Sequence, residues 1–355
     1  MEKAPVPYPP VLHSLASAST IAWLIHQKFE LGIPLYRQEK EWEALGLRLS
    51  RATLSNWLLV VYRDWLIHIV HRLKQELLRQ RYLHIDETHV QVLKEPGRKN
   101  TSDSYMWVYC SIKDSVTPIR YFEYRPGRSG KYPEAFLRGY EGYIHTDAYS
   151  GYNAVSGVKR CLCYTHLRRA FVDALPKDIH TPEASKPAEA IFRLNRLFNI
   201  EAELEALSPD QKKNERLIRE KPLLEAFWSW AEKSAIGELP KSKLSKAFHY
   251  ALNNREGFFH YLEDGNCSIS NSLAENCIRP FVIGRKNWLF SGSPKGAEAS
   301  AGIYTLIETA KANGLAPMKY IKYILSDMPG SAFLEHPEYL DDYLPWNPLV
   351  KEFCR

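Results

Sequence analysis

The sequence predicts an α/β fold, a mixed sheet and helices in the order βββαβαβα, with an all-helical insertion and a helical N-terminal region. Three observations predict it. The hydrophobic period changes from about 3.6 residues to 2 near residue 82. It returns to a helical period, with almost no strand signal, over 176–268. The mixed pattern then resumes at SNSLAENCIRPFVIGRKNWLF.

In chain order, residues 1–12 are Pro-rich and read as an extended linker. Residues 13–80 read as helical. Ser19 and Thr20 precede a helix carrying Ile21, Trp23, Leu24, Ile25 and Phe29. Pro34 opens PLYRQEKEWEAL and Gly46 stops it; Ser50 caps RATLSNWLLVVYRDWLIHIVHRL. The short turn Gly46-Leu47-Arg48-Leu49 gives this pair helix-turn-helix spacing, alongside the plainer reading of a helical hairpin. In a helix-turn-helix, Arg51, Thr53, Ser55 and Asn56 would begin the recognition helix.

Residues 81–175 form the first part of the core. YLHIDETHVQVL, SYMWVYCSI and IRYFEYR are rich in β-branched and aromatic residues and read as a three-stranded antiparallel meander. The helix KYPEAFLRGY, the short strand in GYIHTDAY, VKRCLCYTH and the helix LRRAFVDAL follow. This order matches the ribonuclease-H-like fold, whose central strands carry metal-binding carboxylates. Residues 269–328 complete the core, with helices near 296–313 and 317–327. The acidic, aromatic tail 329–355 reads as an irregular cap.

Composition narrows the classes. A chain of 355 residues holds two or three domains of about 100–200 residues each. A hydrophobic share of 45% allows a sizeable core. The net charge of +6 permits a polyanionic partner without demanding one. MEKAPVPYPP lacks the apolar stretch of a signal peptide. No run of about 18 apolar residues marks a membrane span. Six cysteines in so long a chain do not make a disulfide framework, so a reducing compartment is expected.

Three carboxylates carry the chemistry. Asp86 sits in a core strand, where burying a carboxylate is costly without a cation or metal. Asp147 ends a second apolar strand, Tyr143–Thr146, and in the expected fold the two strands are neighbours. Two carboxylates at one point repel unless a divalent cation lies between them. Glu275 opens the helix that returns after the insertion. It also reads as half of a capping box with Ser272 and as an i, i+4 partner of Arg279. As a third carboxylate it fits a two-metal site, whose ions lie roughly 3.5–4 Å apart.

Around that helix the charge is lopsided. Seven cations (Arg279, Arg285, Lys286, Lys295, Lys311, Lys319, Lys322) face three acids between residues 270 and 322. Gly284–Phe290 mixes cations with aromatics: Arg285 and Lys286 would neutralise phosphates and Trp288 would stack on an unpaired base, or else serve the core. Cys163-x-x-His166 is half of a zinc site. Its other half is not evident nearby, Cys267 and His249 being distant in sequence. Arg168 and Arg169 follow at once and would face DNA.

Taken together, PLYRQEKEWEALGLRLSRATLSNW, HIDETHVQVL, HTDAYSGYNAV, CYTHLRRAF and LEDGNCSISNSLAENCIRPFVIGRKNWLFSGSPKGAEASAGIYTLIETAKANG resemble the transposases of bacterial insertion sequence family sixty-six. The resemblance covers nearly the whole chain and places the family's three acids on Asp86, Asp147 and Glu275, its helical insertion before the glutamate, and its Cys-x-x-His on Cys163 and His166. It implies a DDE transposase holding two Mg²⁺ or Mn²⁺ ions. Such an enzyme cuts double-stranded DNA at terminal inverted repeats and joins the ends to target DNA. It implies a homo-oligomer on DNA, companion proteins of the element, and a bacterial cytoplasmic, nucleoid-associated location without a membrane. The DNA-facing residues would be Arg51, Arg168, Arg169, Arg279, Arg285, Lys286, Trp288 and Lys295. Two departures stand out. The family's N-terminal coiled coil and cysteine-rich, zinc-binding module find no place before PLYRQ, so a shortened copy acting as a DNA-binding regulator is the alternative expectation, with a hydrolytic nuclease as a third. The family's paired asparagines before the glutamate read Asn271-Ser272 here, and Asn276 stands where Arg often follows.

Overall fold

A computed structural model describes residues 8–176 and 185–355. Most of the expected N-terminal linker, and residues 177–184 of the expected insertion, therefore lie outside the described residues. The described chain is α/β with a mixed sheet, in two compact units. One comprises the described residues up to Gln80, Asp86–Ser129 and Ala274–Arg355; the other comprises Arg81–Ile85 and the described part of Gly130–Leu273.

The first unit opens with α1 (Ala18–Ile25), capped by Ser17, whose side chain accepts the Thr20 N–H. The helix therefore starts ahead of Ser19 and Thr20, which lie inside it. The end of the Pro-rich stretch is anchored, since Pro10 and Val11 are buried and the Trp65 indole donates to the Pro10 carbonyl at 2.8 Å. Pro34 caps α2 (Leu35–Ala44), and Gly46 then adopts φ +86°, a left-handed turn that suits glycine. Ser50 caps α3 (Arg51–Val61) by accepting the Thr53 N–H at 3.1 Å. A π-helical turn, Tyr62–Leu66, carries the helix on into α4 (Ile67–Leu78).

Strand β1 (Tyr82–Val92) runs from the second unit into the first. In the first unit β2 (Asp103–Ser111) pairs antiparallel with β3 (Arg120–Arg125), from Tyr105 opposite Arg125 to Cys110 opposite Arg120. The three strands lie in the order β3-β2-β1.

In the second unit, α5 (Lys131–Phe136) leads to β4 (Tyr143–Thr146). That strand pairs parallel with β1 on one side and with β5 (Lys159–Leu162) on the other. His84 pairs with His145, and His145 with Cys161. The helices α6 (Tyr164–Val172), α7 (Lys186–Glu203), α8 (Pro209–Glu215), α9 (Lys221–Ala235), α10 (Lys243–Asn253) and α11 (Arg255–Phe259) follow. Their shared core is aromatic: Phe171, Phe227, Trp228, Phe248 and Phe258 are all buried. The Trp228 ring lies edge-on to Phe227 at 4.9 Å and tilted against Phe258 at 5.7 Å, arrangements that add to simple area burial.

The chain returns through α12 (Ser272–Trp288), which keeps its helix across Pro280. Leu289 ends it at φ +68°, and β6 (Phe290–Ser291) then pairs parallel with the far end of β1. Next come α13 (Pro294–Ala312) and α14 (Pro317–Asp327). The tail is not wholly irregular, for it closes with α15 (Pro348–Cys354), capped by Asn347. Within the first unit α13 lies against β3. Gly302 makes the approach feasible: a Cβ there would sit 2.1 Å from the Tyr62 ring.

Candidate active site

Asp86 lies on β1, half-buried, and its Oδ1 accepts the Glu87 N–H at 2.9 Å. Glu87 pairs with Arg128 at 2.6 Å, so the neighbouring acid has its own cation. Glu275 stands half-buried in the first turn of α12, where the helix dipole favours an anion. Both belong to the first unit and Asp147 to the second.

Asp147 is the first residue past β4. Its Oδ1 accepts the Tyr149 N–H at 3.0 Å, the self-bonding turn an aspartate favours. Arg160 grips that turn from β5. Its Nε donates to Thr146 Oγ1 at 2.7 Å, and its Nη2 to the Asp147 and Tyr149 carbonyls at 2.5 and 2.9 Å. The Tyr250 hydroxyl accepts the Ala148 N–H at 3.3 Å. Asp147 is thus held by a planar cation with several fixed donors, which a lysine could not reproduce.

Behind it is a buried polar seam in the second unit. His84 and His145 stack at 4.2 Å with planes 10° apart. Asn271, 1% exposed, bonds His84 Nδ1 at 3.0 Å and donates from Nδ2 to the Ile85 carbonyl at 2.8 Å. Its backbone N–H meets Cys163 Sγ at 3.1 Å. This one side chain ties β1 to the segment that runs on into α12. Neither Arg160, Tyr250 nor Asn271 stood out in the sequence as a support of the acids: Arg160 reaches across from the neighbouring strand, and Tyr250 and Asn271 act across long chain separations.

Cys163 precedes α6 and is buried; His166 is half-buried in its first turn. Cys267, a distant candidate for the missing half of their site, lies instead with His145 and Cys161, and His249 is exposed. Arg168 is occupied, its Nε donating to Asn195 Oδ1 at 2.7 Å, whereas Arg169 is exposed.

In the first unit Arg51, Arg279, Lys286 and Lys295 are exposed. Arg285 is half-buried, donates to Thr88 Oγ1 at 3.2 Å, and has its pKa lowered by burial. The Trp288 ring meets Phe29 and Tyr304 at 6.3 and 6.2 Å and Lys28 Nζ at 5.7 Å, which engages part of its surface in packing. Burial lowers the Lys28 pKa to about 8.

The three expected acids thus stand on a core strand, just past a second strand and in the first turn of a helix. The comparisons are more specific. The model of the transposase IS66 family matches residues 13–299, and that of the IS66 C-terminal element matches 305–346. The chain belongs to the transposase IS66 family. Three proteins of Sinorhizobium fredii, described as uncharacterized proteins y4hP, y4jD and y4qI, are 26%, 28% and 27% identical to it over 98%, 97% and 94% of its length. The chain spans 65%, 68% and 63% of those proteins. No solved structure matches it. Among the described residues no helix is long and apolar enough to cross a membrane.

Proposed function

We propose that the chain is a DDE transposase with a ribonuclease-H-like core that cuts DNA at the terminal inverted repeats of its element and joins the 3′ ends to target DNA. One observation carries the reading. His84 and His145 pair in parallel register, and in a transposase-family chain Asp86 and Asp147 each stand two residues further along the same strand direction. Residues i and i+2 of a strand face the same side. A register continued by two residues would set the carboxylates side by side, and Glu275 would complete the set. Three hard oxygen donors suit Mg²⁺ or Mn²⁺ better than a softer ion. Such ions, when bound, activate the attacking hydroxyl and neutralise charge on the leaving oxygen. The residues of the chain do the rest. Arg160 fixes the Asp147 turn, Asn271 fixes β1 beside Asp86, and the exposed cations draw in the phosphate backbone. The helix pair α2 and α3, with Arg51 leading, would read the repeat ends, and several copies would assemble on the DNA.

The test is nicking and joining of labelled terminal-repeat DNA with Mg²⁺ or Mn²⁺. Asp86→Asn, Asp147→Asn and Glu275→Gln should each lower the rate by about a thousandfold, equivalent to the several kcal/mol a metal supplies. DNA binding should persist. Binding without cleavage under any metal would mark a DNA-binding regulator instead.

A further inference from the structure

The core of the second unit holds a cluster that the carboxylate chemistry does not use. His145 on β4, Cys161 on β5 and Cys267 in the segment before α12 have ligand atoms within 4.8 Å of one another. They are 1%, 1% and 2% exposed. We propose that these three residues bind a thiophilic divalent ion, zinc, as a structural clamp.

The histidine is already set for the task. Its Nδ1 lies 3.1 Å from the Leu83 carbonyl. A carbonyl only accepts, so Nδ1 carries the proton and Nε2 presents a lone pair. That arrangement, one ring nitrogen on a backbone carbonyl and the other toward the ligand side, is how metal-binding histidines are oriented. Nε2 now accepts the N–H of Ser268, the residue next to Cys267, at 2.9 Å. Zinc would displace that amide and two thiol protons.

Charge and softness select the ion. Two thiolates and a neutral imidazole around a divalent ion sum to zero, which an apolar core tolerates. Leu162, Tyr164, Tyr261, Leu262 and Ile269 belong to the same largely apolar core, into which the buried Arg216 guanidinium also reaches, donating to the Cys267 carbonyl at 2.9 Å. Mg²⁺ disfavours thiolates, so the site would not compete for the catalytic ions. Three protein donors leave one tetrahedral position of the ion to a ligand from outside the trio. The clamp would join β4, two residues before Asp147, to β5 and to the approach to α12. It stands independently of the catalytic reading.

The full chain, stripped by chelator under reducing conditions, is titrated with Co²⁺. Thiolate-to-cobalt charge-transfer absorption and the strong visible bands of tetrahedral cobalt are expected, and one equivalent of Zn²⁺ should abolish them. Cys161→Ser and Cys267→Ser should reduce both signals to background, while Cys163→Ser keeps them. No band, or a band lost only with Cys163, overturns the assignment. Should the serine variants fail to fold, the wild-type protein decides: Zn²⁺, but not Mg²⁺, must slow alkylation of Cys161 and Cys267 relative to Cys354. A non-reduced mass lower by two hydrogens, mapped to a Cys161–Cys267 bond, also overturns it.

Discussion

Arg160 and Glu220 show how single side chains in the second unit set distinct properties. Arg160 fixes the turn through geometry, so Arg160→Lys should keep DNA affinity and lower strand transfer about tenfold, a loss of roughly 1.4 kcal/mol of positioning. Equal losses in binding and rate would refute that role. Glu220 is fully buried and accepts the Tyr261 hydroxyl at 2.6 Å, beside Arg216 and Glu201, which form a bidentate pair. Burial first, then the Glu201 charge, raises its pKa from 4.5 to about 8. The folded form holds a proton that the unfolded chain releases. This contribution to stability is complete below pH 4.5 and is lost as the pH rises to about 8. Glu220→Gln should therefore flatten the pH dependence of denaturant unfolding across that window, and an unchanged slope would refute it.

The same scale shows what the sequence could and could not reveal of the site. Asp86, Asp147 and Glu275 stood out as candidates because each lies in a recognisable block, on β1, just past β4 and in the first turn of α12. Their supports were not. Asn271 reaches Ile85 across most of the chain, and Cys267 joins His145 and Cys161 with no spacing signal to announce it.

Among elements, the longer strands were read well because β-branched and aromatic residues mark them, with alternation surviving near the end of β1 but not in β2 or β4, which are buried almost throughout. The two-residue β6 is too short to have a period, and its direction depends on the unusual backbone of Leu289. The π-helical turns at His26–Glu30, Tyr62–Leu66 and Arg216–Glu220 carry no compositional mark and passed as ordinary helix. The α13 and β3 contact offers a test at this scale. Thr305 Oγ1 accepts the Phe122 N–H at 2.8 Å, and Thr309 Oγ1 accepts the Arg120 N–H at 3.0 Å. Thr305→Val keeps the shape and leaves a buried amide unpaired, which should lower unfolding stability by about 1–3 kcal/mol. Gly302→Ala drives a methyl into the Tyr62 ring and should cost about 1–3 kcal/mol. Thermal denaturation measures both, and a neutral result for either would sink the packing argument.

For the molecule as a whole, the α/β class with a mixed sheet was legible, but the helix expected between β4 and β5 is only the 3-10 turn Ser150–Ala154, too short to bury a face of its own, and the division into units was not legible. The chain crosses between them at 80/81, 85/86, 129/130 and 273/274, and it returns to the first unit at the second and fourth crossings, so Asp86 opens one returning segment and Glu275 nearly opens the other. Composition sees no such crossing. DNA binding belongs to this scale too. Replacing two of the exposed cations, as in Lys286→Ala with Lys295→Ala, should weaken binding to any sequence and reduce the logarithmic salt slope by about 2. An unaltered slope would place the phosphates elsewhere.

The threonine cover on β3 has a counterpart at the opposite end of the strand order. There β5 is the terminal strand, and the His260 ring bonds the Arg160 carbonyl at 2.8 Å. Two β3 amides and one β5 carbonyl are thus met by side chains of their own unit rather than left open to a neighbouring strand.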